Sequence, residues 1–178
     1  MQEQRKGIGF RFRVFGILTI GLIFFSSIAQ SQTAAVSIET IAQQISSPEV
    51  LAQFMKHNFK FVSDRQLFHE DEYWQTPEEM LERRQGDCED YALFAKAVLE
   101  QNGITAYVVS VYWADDAHTV AVFEDSGKWG ILDLATLRYV DAATMADLAK
   151  SIRPDWHYLG MMRQEGRIGI ISRKFKKG

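Results

Sequence analysis

The pattern of apolar and polar positions changes from helical to strand-like near the middle of the chain. Apolar residues recur three and four positions apart between Ile38 and Ile45, and Ser47-Pro48-Glu49 begins a second helix that reaches about His57. From residue 104 onward, apolar positions form runs and alternations that are typical of strands. We therefore predict helices followed by a mostly antiparallel sheet, an α+β fold.

Two further helices are predicted before the sheet. Thr76-Pro77-Glu78-Glu79 has the pattern of a capping box, which predicts a helix ending at Gly86. The next helix should run from about Cys88 to Gln101 and close at Gly103. The stripe of this helix that contains the cysteine is otherwise small or apolar: Ala92, Ala95 and Leu99. The thiol is therefore expected at the buried N-terminal end of the helix, near a cleft.

The predicted strands span 104–113, 118–124, 129–134, 156–162 and 167–171, and Asp141 is expected to cap a helix over 142–152. Strands 118–124 and 129–134 form a hairpin around Asp125-Ser126-Gly127. A loop of two or four residues would place His118 and Asp133 on one face, whereas a three-residue loop would place them on opposite faces. The sequence leaves the loop length open.

The N-terminal segment has the pattern of an export signal over residues 1–29. A basic region precedes an apolar run over 14–28, and Ser27-Ile28-Ala29 offers small residues for a cut before Gln30. This run is short against the roughly 20 residues that span a bilayer, so an uncleaved membrane anchor is the alternative. Residues 30–36 read as a linker and 37–178 as one domain. We expect a periplasmic or secreted protein that contacts a membrane only through this segment, if it is uncleaved.

Length and charge limit the possible partners. With 178 residues, of which 47% are hydrophobic, the chain can bury one good core, and a monomer is expected. Removing residues 1–29 deletes four basic side chains and one acidic side chain, which changes the formal net charge from −3 to −6. Such an acidic domain argues against nucleic acid as a partner.

Cys88 is the only cysteine of the chain, so it cannot form an intramolecular disulfide. A free thiol in an oxidising compartment, placed where the helix dipole favours the thiolate, indicates a nucleophile; an inert core cysteine is the alternative. A thiol hydrolase also needs an imidazole and a group that orients it, and His118 and Asp133 are the candidates.

Acidic residues flank the cysteine on both sides. Asp87 and Glu89 would raise the pKa of the thiol and so oppose the thiolate. Helix capping explains them well, because acids are favoured at a helix N-terminus. The alternative is that both residues help to hold a hard cation such as Ca²⁺. The chain lacks the ligand spacing of a conventional zinc site.

Three segments between Trp74 and Asp133 carry a family resemblance: Trp74-Gln75-Thr76-Pro77-Glu78-Glu79-Met80-Leu81, then Arg84-Gln85-Gly86-Asp87-Cys88-Glu89-Asp90-Tyr91-Ala92, then His118-Thr119-Val120-Ala121 with Trp129 and Asp133. Together they resemble the transglutaminase-like superfamily, particularly the bacterial transglutaminase-like cysteine proteinases. The resemblance implies a papain-like core whose nucleophile helix packs on the sheet.

The same resemblance assigns roles to individual residues. It implies Cys88 as nucleophile, His118 as general base and acid, Asp133 as the orienting acid, and an acyl-enzyme on Cys88. It further implies that the oxyanion is held by the backbone N–H of Cys88 and a donor from upstream, for which Trp74 and Gln75 are candidates.

The function implied is an exported thiol hydrolase that cleaves peptide or side-chain amide bonds of proteins in the cell envelope. No cofactor is required for this chemistry, but some exported members of the family cut cell-surface adhesins and use calcium held by acids at the positions of Asp87 and Glu89. Two alternatives stay open. One is a catalytically silent module that binds a peptide or wall component, and the other is an amine acyltransferase that uses the same three residues.

Overall fold

The computed structural model of the chain describes residues 37–114, 116–164 and 167–174. The predicted signal at 1–29 and the predicted linker at 30–36 lie outside these residues. In the described part of the chain, no helix is long and apolar enough to cross a membrane.

Helices precede most of the strands, and the predicted α+β class is confirmed. The helices are α1 (Ile38–Gln44), α2 (Pro48–Asn58), α3 (Asp64–Leu67), α4 (Pro77–Arg83), α5 (Cys88–Gln101) and α6 (Met145–Ile152). The strands are β1 (Lys60–Phe61), β2 (Gln85–Gly86), β3 (Ala106–Trp113), β4 (Asp116–Asp125), β5 (Lys128–Asp133), β6 (Thr136–Val140), β7 (Tyr158–Gln164) and β8 (Arg167–Arg173).

Strands β3 to β8 form one antiparallel sheet in the order β6-β5-β4-β3-β7-β8, while β1 and β2 form a separate short parallel pair. Helix α5 packs on β3, β4 and β5, and α1, α2 and α4 surround it. The core on this face includes Phe94, Val108 and Phe123, all fully buried. Helix α6 covers the opposite face, where Val120, Leu148 and other apolar side chains form a second cluster.

The hairpin between β4 and β5 has a two-residue loop, which settles the question that the sequence left open. Ser126 and Gly127 both have positive φ, 52° and 79°, as in the type I′ turn that matches the twist of two strands. Because this loop has an even number of residues, His118 and Asp133 lie on the same face of the sheet.

Two predicted helix boundaries are wrong. Helix α4 ends at Arg83 rather than Gly86, because Arg84 is left-handed at φ 58° and the backbone then pairs with β1. Helix α6 begins at Met145, and its cap is Thr144 rather than Asp141. Thr144 and Asp147 form a reciprocal capping box. The first boundary depends on a pairing with a distant segment of the chain, and the second on a local capping box.

Gly130 on β5 is a point where the sheet allows no side chain. A Cβ atom there would overlap the ring of its cross-strand partner Phe123, which is fully buried. We expect Gly130→Ala to lower the free energy of unfolding by about 1–3 kcal/mol, because the ring cannot move without disturbing the core. Urea unfolding followed by circular dichroism measures this loss.

Gly127→Ala is the matched control, since a Cβ atom there meets nothing within 4 Å and only its φ of 79° opposes it. That strain should cost about 1 kcal/mol. A Gly130→Ala variant as stable as the wild type would contradict the expected overlap at Gly130.

Candidate active site

The start of α5 is held by a buried carboxylate, Asp90, which is 0% exposed. One oxygen accepts a hydrogen bond from the backbone N–H of Gln75 at 2.8 Å. The other accepts from Gln75 Nε2 at 2.6 Å and from the backbone N–H of Asp87 at 3.1 Å. Asp90 therefore ties the residue before Cys88 to the segment that leads into α4.

The same contacts explain Gly86, two residues before the cysteine. A Cβ atom at Gly86 would overlap the Asp90 carboxylate and lie 2.7 Å from Gln75 Nε2. Only a glycine lets the backbone pass this close to the buried pair.

Gln75 is held inside the protein, where it is 1% exposed. Its backbone N–H binds Asp90, and its side-chain N–H groups bind Asp90 and the carbonyl oxygen of Gln85. Its role at the oxyanion stays a prediction. Its effect on the site is to position the cysteine. Trp74 donates its indole N–H to Glu72 at 2.6 Å, and its oxyanion role stays a prediction.

Cys88 lies in an open cleft of about 570 Å³ whose walls include Tyr112, Tyr158 and Thr119. The thiol donates a hydrogen bond to Glu89 Oε2 at 3.1 Å. Burial of the thiol raises its pKa, and the hydrogen bond to Glu89 raises it further. The backbone N–H of Thr119 hydrogen-bonds to the sulfur and acts in the opposite direction on this pKa.

His118 and Asp133 are brought together by the hairpin. His118 Nε2 lies 2.6 Å from Asp133 Oδ1, and Arg138 on β6 lies 3.9 Å from the other carboxylate oxygen. The hydrogen bond with His118 lowers the pKa of Asp133, as does the positive charge of Arg138. The carboxylate is therefore kept ionised, which suits a group that orients an imidazole.

Strand β4 carries His118, which pairs with Asp133, and Thr119, which lines the cleft of Cys88. Thr119, whose N–H reaches the sulfur, directly follows His118. Among the described residues no hydrogen bond joins Cys88 to His118, and the thiol donates instead to Glu89.

A cluster of carboxylates lies beside the cysteine, and it is larger than the sequence suggested. Oxygen atoms of Asp64, Glu72 and Glu89 approach within 4.8 Å of one another, as do those of Asp64, Asp87 and Asp90. Sequence reasoning missed Asp64, which lies 23 positions before Asp87 and enters the site through the pairing of β1 with β2. Nothing in the local pattern around Asp64 signals that approach.

Two oxygens of this cluster have no hydrogen-bond partner although they are buried. They are Oδ1 of Asp64, a residue only 2% exposed, and Oδ1 of Asp87. Burial raises the pKa of both carboxyls, and burial together with Asp87 raises the pKa of Glu89 to about 9. Such a set of oxygen ligands could hold a hard cation such as Ca²⁺.

Known proteins similar to this chain include a domain family, a curated relative and several solved structures. A family model described as a transglutaminase-like domain matches residues 17–150. A curated relative, the UPF0252 protein of Archaeoglobus fulgidus, is 40% identical over 63 residues, which are 34% of this chain. The match spans only 20% of that relative's length.

Solved structures of LapG from Legionella pneumophila are also similar to this chain. The calcium-bound form is 19% identical, covers 80% of this chain and 91% of its own, and has a TM-score of 0.48. The EGTA-treated form is 19% identical, covers 76% of this chain and 89% of its own, and has a TM-score of 0.47.

The raised pKa of Glu89 predicts a pH dependence of stability. Between the usual carboxyl pKa near 4.5 and about 9, the unfolded chain is ionised at this position while the folded protein keeps the proton. Unfolding then releases a proton, so stability should fall as pH rises from 5 to 9. Glu89→Gln should weaken this dependence and stabilise the protein at pH 8 by about 1–3 kcal/mol.

Urea unfolding at several pH values in the presence of a chelator measures the effect. Glu124→Gln, a change at an exposed position of β4, is the control and should leave the slope unchanged. A Glu89→Gln variant with the wild-type slope would show that Glu89 is ionised in the folded protein.

Proposed function

The chain belongs to the transglutaminase-like domain family, and we propose that it is an exported thiol hydrolase that cleaves peptide or side-chain amide bonds. The observation that carries this proposal is the 2.6 Å contact between His118 and Asp133, adjacent to the strand position whose N–H reaches the sulfur of Cys88. Acyl transfer of this kind requires a nucleophile and an imidazole oriented by an acid, and Cys88, His118 and Asp133 are the groups that would supply them.

In the proposed reaction, the thiol proton passes to His118 and the sulfur attacks the carbonyl carbon. Because Nε2 of His118 is used by Asp133, Nδ1 is the nitrogen left to take this proton. The C–N bond breaks as His118 returns the proton to the leaving amine, which leaves a thioester on Cys88. Water, deprotonated by His118, then releases the acid and restores the thiol.

The positions of the charged groups support these roles. Asp133 stabilises the imidazolium that forms after the first proton transfer, and Arg138 lies behind it at 3.9 Å. The backbone N–H of Cys88, at the first turn of α5, can donate to the developing oxyanion. The buried Asp90–Gln75 contact keeps this turn in place.

The hydrogen bond between the thiol and Glu89 has to break before the sulfur can react. A calcium ion held by the neighbouring carboxylates would favour this step. The unpartnered oxygens of Asp64 and Asp87 fit a calcium ion, which these residues and Glu89 would hold. When bound, the ion would supply positive charge that offsets the carboxylates beside the thiol. LapG, one of the similar structures, has been solved with calcium bound.

The proposed setting follows from the rest of the chain. Residues 1–29 would direct export, so the substrate would be a protein or peptide of the cell envelope, acted on by a monomer outside the cytoplasm. The acidic balance of the domain disfavours nucleic acid as a partner. A membrane would be contacted only through an uncleaved N-terminal segment.

Cleavage can be tested with a complex peptide mixture. We expect the wild type to cut peptides from a digest of envelope proteins in H₂¹⁸O, leaving ¹⁸O at the new C-termini. Methylamine added to the same mixture tests the acyltransferase alternative, because transamidation would attach the amine in place of water. Mass spectrometry reads both products.

Cys88→Ala and His118→Ala should lower the cleavage rate by at least about a thousandfold. His157→Ala, a change at an exposed histidine before β7, should leave it unchanged. A wild type that yields neither product, with or without calcium, would contradict the enzyme and favour the silent binding module.

The state of the thiol can be tested without a substrate. With a chelator at pH 7, we expect slow alkylation of Cys88 by iodoacetamide, because burial and Glu89 raise the pKa of the thiol. Millimolar calcium should raise the rate at least about tenfold, and His118→Ala should abolish most of the increase.

His157→Ala is again the control and should behave as the wild type. Alkylation that is insensitive to both calcium and His118, and that titrates near the pKa of about 8.5 of a free cysteine, would contradict an activated nucleophile.

A further inference from the structure

A second cavity, of about 640 Å³, opens between α2 and the β5–β6 hairpin, and it is separate from the cleft that holds Cys88. We call it the α2 groove. Helix α2 contributes polar side chains to its lining, α5 contributes an aromatic one, and the turn into β6 and β6 itself contribute apolar ones. These residues are Glu49, Gln53 and Lys56, then Tyr91, then Leu134 and Leu137.

The α2 groove begins next to the candidate active site. Tyr91 follows Cys88 by three residues, less than one turn of α5, and so lies about 4.5 Å further along the helix axis. Leu134 directly follows Asp133 and forms the two-residue turn into β6 with Ala135. A peptide bound in the groove could therefore continue toward the thiol.

Tyr91 presents a hydroxyl donor to the groove. The residue as a whole is 4% exposed and lines the groove, and its hydroxyl has no hydrogen-bond partner in the described part of the protein. Its ring is held edge-on against Phe59 at a centroid distance of 5.7 Å, so the hydroxyl is fixed in place.

The charges at the rim differ from those around Cys88. Glu49 accepts a hydrogen bond from the hydroxyl of Tyr139 at 3.0 Å, so it is already partnered. Lys56 forms no ion pair within the described residues and is exposed at the edge of the groove. The groove therefore presents an apolar floor, the hydroxyl of Tyr91 and the cation of Lys56, whereas the cleft of Cys88 is rich in carboxylates.

We propose that the α2 groove is a substrate subsite for an extended peptide segment in which an apolar side chain is followed by an acidic one. The apolar side chain would pack on Leu134 and Leu137, a peptide carbonyl would accept a hydrogen bond from Tyr91, and the carboxylate would pair with Lys56. As a substrate subsite, the groove rests on the proposed hydrolase function.

Binding can be measured in the Cys88→Ala protein, so that the result does not depend on cleavage. The probe is acetyl-Ala-Leu-Asp-Ala amide, with acetyl-Ala-Leu-Lys-Ala amide as its charge-reversed counterpart. We expect nuclear magnetic resonance titration to show saturable shifts at groove residues, with tighter binding of the Asp peptide. Absence of shifts at the groove for both peptides would overturn the proposal.

Tyr91→Phe removes only the unpartnered hydroxyl and should weaken binding of the Asp peptide about three- to tenfold. Lys56→Gln should abolish the preference for the Asp peptide over the Lys peptide. Tyr107→Phe on β3, whose side chain packs with the cluster on the α6 face, is the matched control and should bind as the parent does. Unchanged binding in both groove variants would overturn the subsite.

Cleavage assays separate this proposal from the hydrolase itself. If the protein cleaves peptides and Tyr91→Phe raises KM at unchanged kcat, both proposals are supported. If it cleaves and neither groove variant alters KM or the selectivity for acidic peptides, the subsite is overturned and the hydrolase stands. If the probes bind in the groove but no peptide is cleaved, the hydrolase is overturned and the groove stands as the binding site of a silent module.

Discussion

The buried carboxylate of Asp90 is the constraint on which the candidate site depends. Among the described residues it has no cationic partner, and it accepts hydrogen bonds from three N–H groups, two of Gln75 and one of Asp87. Loss of any one donor would leave buried charge poorly solvated, which is costly in a protein interior. The position of Cys88 at the first turn of α5 is therefore fixed by contacts that involve neither the thiol nor the imidazole.

The carboxylates around the thiol act on it in a way that opposes simple nucleophilic catalysis. Burial and Glu89 both favour the neutral thiol, while the Thr119 N–H favours the thiolate less strongly. The same carboxylates leave two buried oxygens without partners. The carboxylates beside Cys88 therefore disfavour the thiolate and favour a bound cation for the same reason, their concentrated negative charge.

Much of this architecture could be predicted from the sequence, where local patterns decide the structure. The capping box at Thr76, the start of α5 and the change from helices to strands all depend on residues close together in the chain. Asp64 and Arg138 could not be found this way, because Asp64 reaches the site through the pairing of β1 with the distant β2, and Arg138 through the tight turn that returns β6 alongside β5. The contact of Gln75 with Asp90 was also missed, because the two residues lie 15 positions apart.

The two-residue turn at Ser126 and Gly127 limits how relatives of this protein can vary. Each residue added to or removed from the turn moves one strand by one position against the other and would send His118 and Asp133 to opposite faces, unless a bulge absorbed the change. Insertions in pairs would preserve the contact. Length variation at this hairpin should therefore follow an even-numbered rule in chains that retain both residues, even though the turn itself lies far from the cysteine in sequence.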